Sequence, residues 1–181
     1  MLSCDDFIDN VCNADELKKN LQFFAVFIAV FENLTDYVDN HIKGLYCENS
    51  VIKNGKINYI KSDEYKNMFC ERRVDDKGNK SEVKAQFLWL MDNGAINEEE
   101  YNQFLELKEC RNIFAHELLD RMVNGVCERE RDRFLKMIEL YKKIDKWWWE
   151  TFDSEIFENC EQDDIHSIVI DYIEIVKEAI K

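Results

Sequence analysis

LQFFAVFIAVF, Leu21 to Phe31, decides how the chain is read. An apolar run of this kind belongs either to a membrane span or to the centre of a helical core. It is short for a span, which needs about 20 apolar residues. Lys18 and Lys19 precede it and Glu32 follows it, which sets it in a buried core helix. Asn13 with Glu16 three residues on has the form of a capping box, so the helix starts there and extends to about residue 43. Its middle is apolar nearly all round, which predicts a central place in a bundle.

The composition agrees. The chain has 181 residues, 46% of them hydrophobic, with no proline and five glycines. That is enough for one good core, and the simplest organisation is a single domain over 1–181. Scarce proline and glycine favour long helices. Ser81 caps a helix to about Asn93, closed by Asp92-Asn93-Gly94. Asn97 and Glu100 form a second capping box, and the helix they start is predicted to run to Asn124-Gly125. Cys127 to Phe152 and Asp163 to Lys181 read as two further helices. The expected fold is all-α, an antiparallel bundle of four to five helices, with an insertion over 47–80. Within that insertion VIKNGKINYI (51–60) alternates with period two around Asn54-Gly55. This predicts a hairpin with a type I′ turn that leans on the helices, or else an irregular loop. Ser62 to Arg73 reads as a short helix and Val74 to Lys80 as a polar loop.

The net charge is −14, which opposes general attraction to nucleic acid, since phosphate binding draws on Lys and Arg. Any RNA contact must be a local patch, and Arg72, Arg73, Lys77 and Lys80 form the one basic cluster with a claim on phosphate. A lysine-rich loop is usually just solvated surface. Seven cysteines, none spaced as CxxC, with an acidic start MLSCDDFIDN, predict free thiols in a reducing cytoplasm, no membrane anchor and no zinc site. No motif calls for a cofactor. Trp147, Trp148 and Trp149 span about 200° of helix surface, so at least one is expected to be exposed or in an interface.

The chemistry is concentrated in ECRNIFAHEL, residues 109–118. Asn112 and His116 are four apart and share a helix face. Arg111 lies five before His116, about 140° of rotation and about 7.5 Å of rise away. A histidine can take the proton of an RNA 2′-hydroxyl or give one to the leaving 5′-oxygen. An arginine fork can hold the phosphate and stabilise its developing charge, with no metal. DNA lacks the hydroxyl and would be excluded. Glu109 and Asp120 flank the motif as candidates to orient His116. The plainer reading is a core-edge histidine satisfied by Glu117, Asp120 or a carbonyl, and an Arg111 bridged to one of 38 acidic residues. Cys110 sits on the apolar side and reads as inert.

Arg111-Asn112 with His116 four further on resembles the mark of the HEPN superfamily: arginine, a polar residue, then histidine after four to six intervening residues on a late helix of a small all-α domain. Lys84 to Asp120, with its Gly94-Ala95-Ile96 turn, acidic segment and Tyr101, is similar to the central block of mannitol-operon-repressor-like (MtlR-like) proteins. Phe23 to Asp39 resembles their early core helix. The likeness leaves out Cys47 to Lys80 and the three tryptophans. It implies a homodimer whose facing motifs make one metal-independent RNA-cleaving site from Arg111, Asn112 and His116, in a toxin or phage-defence effector held by an antitoxin. The alternative it implies is a non-catalytic regulator acting through a protein partner. Members silenced by nucleotide transfer carry tyrosine two residues after the histidine; Leu118 stands there, so that control does not carry over.

Overall fold

The computed structural model describes residues 13–47, 49–53 and 56–153, with Asp171 and Glu174. The fold is all-α. Its elements are α1 (Ala14–Tyr46), β1 (Asn49–Lys53), β2 (Lys56–Ile60), α2 (Asp63–Tyr65) running into a π-helical turn (Lys66–Cys70), α3 (Glu82–Asp92), α4 (Glu98–His116), α5 (Leu118–Asn124) and α6 (Glu128–Trp148), which ends in a π-helical turn (Trp149–Asp153). The helix predicted over 163–181 apart from Asp171 and Glu174, the Asn54-Gly55 turn, the N-terminal segment and Cys4, Cys12 and Cys160 lie outside the described residues.

The helix starts follow their capping residues. Asn13 Oδ1 accepts from the backbone N–H of Asp15 and of Glu16, at 3.1 and 3.2 Å. The carboxylate of Glu16 pairs with Lys19 instead of returning to Asn13. Ser81 Oγ accepts from Lys84 N. Asn97 and Glu100 exchange both bonds of a capping box, at 2.7 and 2.9 Å. α3 stops at Gly94, whose φ of 77° suits a residue without Cβ. Gly94 N donates to Met91 O and Ala95 N to Leu90 O, the paired closing bonds of a Schellman motif.

The chain divides into two compact units: Met1–Glu32 with Asn102–Lys181, and Asn33–Tyr101. α1 supplies residues to both. The first unit is built on phenylalanine. Phe24 and Phe27 of α1 meet Phe114 of α4 with ring centres 4.7 and 4.9 Å apart. Phe23 and Phe27 reach Phe134 of α6 at 5.8 and 6.1 Å, and Phe31 stacks on Phe104 at 6.1 Å. Phe24, Phe27 and Phe104 have no exposed surface. Full burial of one such side chain contributes about 1.5–3 kcal/mol, so this cluster is the main source of cohesion here. By length and hydropathy α1 could cross a membrane, yet 44% of its most apolar stretch is buried inside the fold.

The second unit buries Leu34, Val38 and Ile42 of α1 with Tyr65, Phe69, Phe87, Trp89 and Leu90. Trp89 Nε1 donates to Tyr46 Oη at 3.1 Å. Beneath this core lies a polar cluster. Lys61 Nζ and Tyr65 Oη both donate to Glu82, and Gln86 Nε2 donates to Asp39 and to Tyr65. β1 and β2 pair antiparallel with Lys53 opposite Lys56, as a two-residue loop requires.

Two expectations are corrected. The helix predicted from Asn97 to Asn124 breaks at Glu117, whose φ and ψ are −115° and 26°. Past Phe114 the chain has nothing to hold it straight, since α5 buries no residue. The hairpin does not bury its apolar side chains against the helices: Val51, Ile52, Ile57 and Ile60 stand 47–75% exposed. Of the three tryptophans, Trp147 and Trp149 are half-buried. Trp148 is buried, and Trp147 packs edge-on against Trp148 and Phe152, where α6 widens into its π turn.

Candidate functional site

The Arg-Asn-His residues occupy the last turns of α4. Phe114 and Cys110 on the same helix point into the phenylalanine core and fix its rotation. Arg111 and Asn112 are thereby held at the core edge, half-buried, while His116 in the terminal turn is exposed. Burial pushes the Cys110 thiol above its ordinary value, so it is the inert thiol its place in the sequence suggested.

Arg111 has a partner that the sequence reading used only to bound the apolar run. Its Nε and Nη2 both donate to Glu32 Oε1 at the end of that run on α1. Its Nη1 donates to Asn112 Oδ1 at 3.2 Å. The guanidinium is therefore oriented on two sides, and the Asn112 amide is set by it. Side chains in this pair are 31% and 44% exposed. An ion pair this open to water is worth about 0–1 kcal/mol, so a phosphodiester can compete for the fork. The signal in the sequence was Glu32 itself, one acidic residue closing an eleven-residue run with ten apolar members.

His116 has no hydrogen-bond or ion-pair partner among the described residues. Neither Glu109 nor Asp120 reaches it: both are exposed, and the Asp120 carbonyl instead accepts from Asn124 Nδ2. Glu117 pairs with Arg121, which also approaches Glu130 at 3.7 Å. α5 is tied back by Asn20, whose amide donates to Met122 O at 3.0 Å. An imidazole in this setting is free to move a proton to or from a group outside the chain.

Two of the four residues of the basic cluster are ion-paired. Arg72 pairs with Asp92 at 2.7 Å and Lys80 with Glu71. Arg73 and Lys80 face each other across a backbone bridge, and Lys77 is exposed. These residues belong to the second unit and the Arg111–His116 segment to the first. Among the described residues no three His, Cys, Asp or Glu side chains converge as metal ligands would. No protein-family model matches the chain, and neither a curated protein nor a solved structure matches it.

Proposed function

We propose that the chain is a metal-independent endoribonuclease of the HEPN type that acts in the cytoplasm as a toxin or defence effector. The observation that carries this reading is the contrast within one helix end: an oriented guanidinium beside an exposed imidazole with no hydrogen-bond or ion-pair partner among the described residues. A histidine serving only the fold would be satisfied from within. His116 acts as the acid or base at the 2′-hydroxyl or the leaving oxygen. Arg111 exchanges part of its hold on Glu32 for a phosphate oxygen, and Asn112 positions the fork. A second copy supplies the facing motif, which a single Arg-His pair needs to serve both the nucleophile and the leaving group. Free thiols at Cys47, Cys70, Cys110 and Cys127 accord with a reducing compartment.

Total RNA incubated with the protein in EDTA tests this. His116→Ala, matched to the parent by circular dichroism, is expected to lose about 10²–10⁴-fold in cleavage rate. One observation favours the alternative of an MtlR-like regulator: Glu32 already neutralises Arg111 in a chain of net charge −14. If neither protein cuts RNA while both fold and dimerise equally, that regulator is the reading to follow, and its partner is a protein.

A further inference from the structure

KSDEYKNMFC, residues 61–70, opens on a lysine and closes on a cysteine, and the backbone reverses so that the two meet. Lys61 follows β2, and Cys70 ends the π-helical turn that continues α2. Ser62 makes the reversal: its Oγ donates to Tyr46 O at 2.6 Å and accepts from Tyr65 N at 3.0 Å. Lys61 Nζ donates to Cys70 Sγ at 3.8 Å. Glu82 on α3 reaches both. Its carboxylate accepts from Lys61 Nζ at 2.6 and 2.8 Å and from Cys70 Sγ at 3.6 Å. All three residues belong to the second unit, and the RNA chemistry proposed above uses none of them.

A thiol oxidised by a peroxide becomes a sulfenic acid, and a nitrogen beside it can displace the hydroxyl. Access and contact are both present here. Cys70 is half-buried, and the Lys61 and Glu82 side chains are 35% and 29% exposed, so a small oxidant reaches the sulfur. Burial and the charge of Glu82 push the Cys70 thiol up, which makes its oxidation slower than that of an ordinary thiol. The bond to Glu82 also keeps Lys61 charged. Proximity offsets the scarcity of neutral amine, because reactants held in contact reach effective concentrations of about 10⁵ M or more. The pair therefore responds to a strong oxidant pulse and stays silent toward traces.

We propose that Lys61 and Cys70 are a modification site, joined by a reversible nitrogen–sulfur bond when the chain meets hydrogen peroxide. Cys70 Sγ–H and one peroxide give Sγ–OH and water. The O–O bond breaks, and sulfur loses the two electrons that the peroxide gains. Glu82 takes one proton from the Lys61 ammonium. The Nζ lone pair then attacks Sγ, the N–S bond forms, the S–O bond breaks, and the hydroxyl leaves as water with a second amine proton. A small thiol reverses the bond: it attacks the sulfur, frees the amine, and leaves a mixed disulfide that a second thiol reduces. The bond closes residues 61–70 into a ring and removes the cation beside Glu82. It also fixes Lys61, which lines the cleft at the base of the hairpin with Leu45, Tyr46 and Ser62.

The test treats the full chain with hydrogen peroxide, digests it with trypsin and reads the peptides by mass spectrometry. Trypsin cuts after Lys56, Lys66 and Arg72, and a bonded Lys61 blocks the cut behind it. The expected product is residues 57–66 joined to residues 67–72, two hydrogens lighter than the separate peptides summed, and split by dithiothreitol. Lys61→Arg keeps a cation beside Glu82, so its melting temperature should match the parent, yet it should lose the product. Cys70→Ser should lose it too. Dimedone, which traps sulfenic acids, should label Cys70 about tenfold more in Lys61→Arg than in the parent, because no amine competes for the sulfur. The proposal is overturned if Cys70 of the treated parent is recovered only as thiol, as sulfinic or sulfonic acid, or in a disulfide. An equal yield of the joined peptides from chain unfolded in guanidinium overturns it as well, since the fold would then have no part in the bond.

Discussion

Glu32 shows what one residue decides. In sequence it marks the end of an apolar run; in the structure it is the acid that aims the Arg111 fork. If Arg111 holds phosphate, Glu32 is a positioning residue. Glu32→Gln keeps a hydrogen-bond acceptor but removes the charge that holds the guanidinium, so kcat is expected to fall about tenfold. KM should not rise, because the freed arginine attracts phosphate more strongly. Steady-state cleavage of a short fluorescent RNA separates the two constants. A rise in KM at constant kcat would place Glu32 outside the positioning of the fork. Arg111, Asn112 and His116 were legible because their spacing on a helix follows from 3.6 residues per turn. Their partner lies 79 positions away in sequence from Arg111, and no local pattern encodes such a pair.

Elements were legible wherever a cap or a period announced them. Asn97-Glu100, Ser81 and the Gly94 stop appear in the structure at the residues the sequence marks. Gly94→Ala is expected to cost about 1 kcal/mol, from left-handed backbone strain alone, because an added Cβ would meet nothing within 4 Å. Gly94→Asn should cost less, as asparagine tolerates that conformation. Urea denaturation of the two variants checks the order. In α1, Phe27 touches Phe23, Phe114 and Phe134, so Phe27→Ala is expected to cost about 3–5 kcal/mol by the same measurement. The break at Glu117 was not legible, since no glycine or proline marks it. It arises because the buried face of α4 ends at Phe114, a fact of packing.

At the scale of the whole molecule, acid should find one weak point in the second unit. Burial alone would raise the carboxyl of Glu82, but hydrogen bonds from Lys61 and Tyr65 and the charge of Lys61 outweigh it and hold it below its ordinary value. A carboxyl lowered in the folded state stabilises the fold above its unfolded pKa, and that contribution is lost as pH falls through the folded pKa. Stability is therefore expected to drop as pH falls below about 4.5. Glu82→Gln should flatten that part of the profile in guanidinium titrations across pH 3–7. Lys61 has the opposite sense. Burial would lower it, the bond to Glu82 raises it on balance, and its contribution is lost only as pH rises through its folded pKa. The net charge of −14 adds self-repulsion near neutrality, which salt should relieve.

Composition and period alone determined that this chain is helical and where most of its helices begin and end, and left a hairpin or an irregular loop as what interrupts them. These properties are local: caps, glycine stops and apolar spacing act within a few residues. Tertiary structure decided which acid holds Arg111, that His116 is exposed, that α4 breaks after its buried face, and that the hairpin keeps its isoleucines in water. Each of these depends on which surfaces meet across tens of residues, and burial, the force that settles them, is blind to sequence distance.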